Sequence, residues 1–204
     1  MDWVHWILFI AVAICLVSFA FHFIRLIRLG KPHDLSAKAG NTGTAIVYSF
    51  TSAMNPVNKE SAFLHLPTYA AGIVYHIATF VSFAAFILIL FAVNMHQTLV
   101  IVFVLAAFAG TFSGMAMLVK RMADKKLRKL SNPDDYISNL LVTLFQLITG
   151  LVLLTGDFYI TYMLIAALMF LYMPIGKLKH IIYFFSARYH LGFFYGWRNV
   201  WPPN

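Results

Sequence analysis

Charge is scarce in this chain. Only 11% of its residues are Asp, Glu, Lys or Arg, and 61% are hydrophobic. Soluble domains carry about 25% charged and about 45–50% apolar residues. A soluble fold of 204 residues has too little interior for so much apolar surface, which points to a polytopic membrane protein. Cysteine is nearly absent too. A lone Cys15 excludes an internal disulfide framework and any cysteine-ligated cluster within the chain. Iron–sulfur chemistry would therefore have to come from a partner. Cys15, between Ile14 and Leu16, reads as a packing residue. No glycine-rich phosphate loop follows a strand, and no nucleophile–base arrangement stands out. There is no internal repeat. The opening stretch MDWVHWILFIAVAICLV has neither a basic leader nor a small-residue cleavage site, so it is expected to stay as a first helix.

What the chain does have is long apolar runs. About 20 such residues cross a hydrocarbon core of roughly 30 Å. Five runs qualify: Trp3–Ile27, Leu66–Val93, Thr98–Val119, Tyr136–Thr155 and Phe158–Phe185. The expected fold class is all-α, with five transmembrane helices in a bundle. The turns NMHQ and TGD are short. The segment from Arg28 to His65, the loop KRMADKKLRKLSNPDD and the C-terminal tail are long.

All 15 Lys and Arg fall on the side of the long segments. The positive-inside rule makes that side cytoplasmic, with the N-terminus outside and the C-terminus cytoplasmic. The formal charge of +8 then reports topology and a solvated face, and no nucleic-acid partner is expected. The basic runs remain compatible with docking to acidic lipid or a protein. Trp3 and Trp6 at one end, and Trp197 and Trp201 at the other, suit interface anchors.

Eight histidines remain: His5, His22, His33, His65, His76, His96, His180 and His190. An ionisable group inside a span is costly and marks a functional candidate. His5, His33 and His96 fall at interfaces or in loops. His22, near the inner end of the first span, would pair with a backbone or lipid group. His76 lies about 15 Å into the second span, in AAGIVYHIATFVSFAAF, and His180 lies near the cytoplasmic end of the fifth. Those spans run antiparallel, so the two imidazoles are expected at overlapping depths. Imidazoles from facing helices can ligate a haem iron axially. Ala70, Ala71, Gly72, Ala78 and Ala84 would leave room for a flat macrocycle. The competing reading is two unrelated histidines bonded to backbone carbonyls. His65 precedes His76 by eleven residues, about 20° off the same helix face, and His190 follows His180 by ten. This outer pair would serve a second haem, propionates, a quinone or a partner. Pro67, however, suggests that the helix starts just past His65. Zinc lacks a completing carboxylate or thiol.

Three segments resemble the respiratory nitrate reductase gamma subunit family of membrane cytochromes b. They are GIVYHIATFVSF, LVKRMADKKLRKLSNPDDYISNLLVTLFQLITGLVLLT and YMPIGKLKHIIYF, and the likeness spans roughly residues 70–185. That family includes membrane subunits of heterodisulfide-reductase-like and sulfite-reduction-associated complexes. The resemblance implies b-type haem between the second and fifth helices and electron exchange with membrane quinones. His76 and His180 are the implied ligands. The family's outer haem would take positions near Phe86 and Tyr162, which cannot supply the usual ligands, so one haem is expected here and two is the variant case. The tail ARYHLGFFYGWRNVWPP also departs from the nitrate reductase subunit, which favours the wider family.

The expected function is therefore a single membrane-embedded cytochrome b domain in the cell inner membrane. It would move electrons between the quinone pool and iron–sulfur and catalytic subunits on the cytoplasmic face. Lys177, Lys179 and Arg188 are candidates for haem propionates, with snorkelling anchors as the plain alternative. A quinone needs a proton donor, and His65, Lys59, Glu60 or Tyr69 could supply it, with Asp157 and Tyr159 weaker choices at the outer end. The rival class is a haem-free anchor that docks an enzyme and binds quinone. A transporter would call for broken helices or inverted repeats with polar residues at mid-membrane, and neither is expected.

Overall fold

The structure is a computed structural model that describes residues 2–30, 33–58 and 64–203. It is helical, with no strand among those residues. The helices are α1 (Trp3–Arg28), α2 (Thr42–Phe50), α3 (Leu66–Leu90), α4 (Gln97–Ala123), α5 (Lys125–Leu130), α6 (Pro133–Thr155), α7 (Tyr159–Tyr172) and α8 (His180–Trp197). Helices α1, α3, α4 and α6 are long and apolar enough to cross a membrane. A fifth crossing exists only if α7 and the segment from Lys177 count as one broken span. The fifth run was expected as one helix over Phe158–Phe185. Instead Met173–Gly176 interrupt it, a 3-10 turn covers Lys177–Lys179, and α8 continues to Trp197. Pro174 has no backbone N–H to continue the helical bonds, while Met173 before it is still helical, with its amide on the Met169 carbonyl.

Local chemistry sets the remaining ends. Asn132 accepts from the Asp135 amide while Asp135 accepts from the Asn132 amide. This capping box, with Pro133 at the first position, starts α6. Gly156, at φ 78°, closes it in the left-handed conformation. Asp124 ends α4 and caps α5. His96 caps α4 by accepting from the Thr98 amide, so this loop histidine has a structural task.

The chain divides into two compact units. The first comprises residues 1–15 and 67–178. Its core is α6 with α3, α4 and α7. Gly110 and Gly114 on α4 let the helices approach closely. A side chain at Gly110 would run into Ala78 and Gln146, and one at Gly114 into Thr143 and the Tyr75 ring. Small residues four apart permit this in a medium with no hydrophobic drive between helices. Further along, Phe83, Phe86, Phe145, Tyr162 and Phe170 form a ring cluster, with Phe145 and Tyr162 stacked at 5.7 Å. Large side chains such as Phe80 and Phe112 are exposed, as suits a lipid-facing surface.

The second unit comprises residues 16–66 and 179–204. Here α2 lies on α8. Gly192 meets the backbone of Ile46 and Gly196 meets Ala45, leaving no room for side chains. Ser49 donates to the Arg188 carbonyl at 2.8 Å. The preceding segment is tied down by Trp197 Nε1 donating to the Ser36 carbonyl at 2.8 Å and by Arg198 on Asp34 at 2.6 Å. The Ser36 amide and hydroxyl, and then Arg198, hold the Asp34 carboxyl below its usual pKa.

Candidate functional site

His76 lies on α3, ten residues past its first turn residue Leu66, and is exposed. Its neighbours explain that orientation. Tyr75 and Ala78 are buried against α6 and α4, so the face about 100° away points out of the core. One turn earlier, a Cβ added at Gly72 would meet nothing within 4 Å. The surface over this turn is therefore open, and a flat ring could lie against it. His76 also touches the Tyr75 ring edge-on, with centroids 6.2 Å apart.

His180 opens α8 and is exposed. It was expected inside a continuous fifth span, and the break at Met173–Gly176 makes it a helix-start residue instead. One turn on, Tyr183 hydrogen-bonds His22 Nδ1 at 3.0 Å. His22, expected to find a backbone or lipid partner, has this tyrosine. His76 belongs to the first unit, and His180, His22 and Tyr183 to the second.

His65 occupies the turn just before α3 and is exposed, as the position of Pro67 led one to expect. His190 was expected beyond the membrane boundary. It sits on α8, about 80° around the helix from His180, and lines an open groove with His33, Asp34, Phe193 and Phe194. Among the described residues, no three His, Cys, Asp or Glu side chains converge as a metal-ligand set.

The candidate cations differ in their surroundings. Lys177 pairs with Asp135, whose other oxygen lies 3.7 Å from Arg121. That carboxylate is also part of the α6 capping box, so Lys177 is tied to the start of α6. Lys179 ends the 3-10 turn. Arg188 stands 5.8 Å from the Phe184 ring centre, while its carbonyl receives Ser49. Tyr69 is half-buried on α3. Lys59 and Glu60 lie outside the described residues. Tyr159 hydrogen-bonds His5 Nε2 at 3.0 Å, and Asp157 is exposed. Phe86 and Tyr162 pack edge to face, with centroids 5.7 Å apart.

One set of residues escaped the sequence reading. Gln146 is fully buried in mid-α6. Its Nε2 donates to the Tyr75 carbonyl at 3.1 Å and to Thr79 Oγ1 at 2.7 Å. Tyr75 Oη donates to the Asn139 carbonyl at 2.9 Å and lies 3.2 Å from Thr143 Oγ1. Thr149 donates to Tyr162 Oη at 3.3 Å. Polar residues inside the apolar runs were not expected, and these correct that view. The interruption at Met173–Gly176 likewise departs from the single helix expected over Phe158–Phe185. The signals were there as an amide inside an apolar run, LVTLFQLIT, and as two glycines four apart in GTFSG. No family model, curated protein or solved structure matches this chain.

Proposed function

We propose that the chain is a membrane cytochrome b subunit of a quinone-linked respiratory oxidoreductase. His76 and His180 would hold one haem b, which when bound supplies reversible one-electron transfer. The observation that carries the reading is the surrounding of His76. An imidazole stands on the outward face of a membrane-length apolar helix, beside a glycine with open space over it. The open turn gives a flat macrocycle a surface to lie against. For His180 the support is the resemblance of YMPIGKLKHIIYF to the family's fifth-span segment.

This chain's own residues would then act by holding and placing. The apolar outer faces set the protein in the inner membrane, and the basic segments keep their side cytoplasmic. That side would meet an iron–sulfur partner. Lys177 already serves Asp135, so Lys179 and Arg188 are the better propionate contacts. Phe86 and Tyr162 sit inside a packed ring cluster, which favours a single haem over two. His65 and Tyr69 are the described candidates for a quinone's proton donor.

Absorbance of the purified, dithionite-reduced protein tests the proposal. The expected result is a b-type Soret and alpha band. A chain that binds quinone yet shows no such bands would be the haem-free anchor instead.

A further inference from the structure

Gln146 is the most deeply buried amide of the first unit, and its partner is specific. The Tyr75 carbonyl it bonds is one half of the peptide link between Tyr75 and His76. The same carbonyl accepts from Thr79 Oγ1 at 2.7 Å, and Thr79 in turn accepts from Gln146. Helix α3 is thus pinned to α6 at the residue before the candidate ligand. Tyr75 Oη fixes the same turn a second time, on the Asn139 carbonyl two turns earlier along α6. Gly110 and Gly114 bring α4 in behind both contacts, against Gln146 and Tyr75. Two anchors at different heights fix both the rotation and the axial position of α3 at His76.

We infer that Gln146 is the positioning residue for His76, setting the direction in which that imidazole leaves the bundle. The inference rests on the proposed haem reading and adds a residue to it. Ligand orientation is commonly set by such outer contacts. Here the contact acts through backbone rather than through the ring. Neither Gln146 Oε1 nor Ser82 Oγ has a hydrogen-bond partner among the described residues. The amide's value therefore lies in its Nε2 donor.

The test uses the full chain with haem and compares Gln146→Leu with Thr149→Val. Thr149 is equally buried and bonds Phe145 and Tyr162, away from the His76 peptide. The readout is the largest g value of the oxidised low-spin haem, which follows the angle between axial imidazole planes. Gln146→Leu should keep its haem and shift that g value, while Thr149→Val should leave it in place. In haem-free protein, Gln146→Leu should speed amide exchange at His76 and Thr79, and Thr149→Val should not. If Gln146→Leu does not fold, Thr79→Val carries the test, with a smaller shift in the same direction. A wild-type g value in a folded Gln146→Leu or Thr79→Val chain overturns the inference, as does an equal shift in Thr149→Val. A wild-type chain without haem overturns the haem reading itself, and that is seen before any variant is made.

Discussion

The two units are held by different chemistry. In the first, buried side chains bond backbone across helices, as Gln146 and Tyr75 do, and glycines bring the helices into contact. In the second, glycines again seat one helix on another and buried Ser49 bonds the Arg188 carbonyl, but an ion pair and an indole bond, Arg198 on Asp34 and Trp197 on Ser36, add clamps at the periphery. Lipid gives no hydrophobic drive between helices, so specificity inside it falls to close packing and satisfied polar groups. Near water, ionic contacts can do part of that work and become sensitive to pH and salt.

The comparison breaks most severely at Gly114. A leucine there meets Thr143 and Tyr75, and overpacking of this kind costs about 3 kcal/mol or more. Gly114→Leu should yield aggregated protein on size exclusion in detergent. Gly192→Val should be milder, at about 1–3 kcal/mol, since it disturbs only the seat of α2 on α8. It should lower the melting temperature while the first unit keeps its protease resistance. Gln146→Leu should cost still less, because a membrane side-chain hydrogen bond averages roughly 0.6 kcal/mol. A large spectral effect beside so small a stability effect would sharpen the positioning role.

The smallest effect belongs to Asp34. Its folded carboxyl is held below the usual pKa, first by the Ser36 amide and hydroxyl and then by Arg198. Stabilisation from this group is therefore present above the unfolded carboxylate value of about 3.9. It fades as pH falls through the lower folded value. Hydrogen exchange of the Ala39 and Gly40 amides, which bond the Trp197 carbonyl, should rise on acidification or in Asp34→Asn. The same treatment should leave His76 and Thr79 unchanged. Equal responses in both regions would erase the distinction.

The sequence revealed most where length and apolarity decide the outcome. Four of the five runs became helices with nearly the expected ends, because about 20 apolar residues in a row have one main use. The fifth run misled because Met173–Gly176 scarcely lower its hydropathy, while Pro174 still interrupts the helix. Helix α2 was hidden in a polar segment, where its Asn41 cap and the receiving glycines of α8 carry no hydropathy signal. At the site, His76 was legible as a costly group on a greasy helix. Gln146 went unread because its meaning depends on which carbonyl it meets, and that is a tertiary fact.

Haem per chain, measured histidine by histidine, tests the central claim most directly. Purified wild-type protein should carry a single haem b, retained in His65→Ala and lost in both His76→Ala and His180→Ala. Equal loss in all three variants, or full haem content without His76, would contradict the assignment.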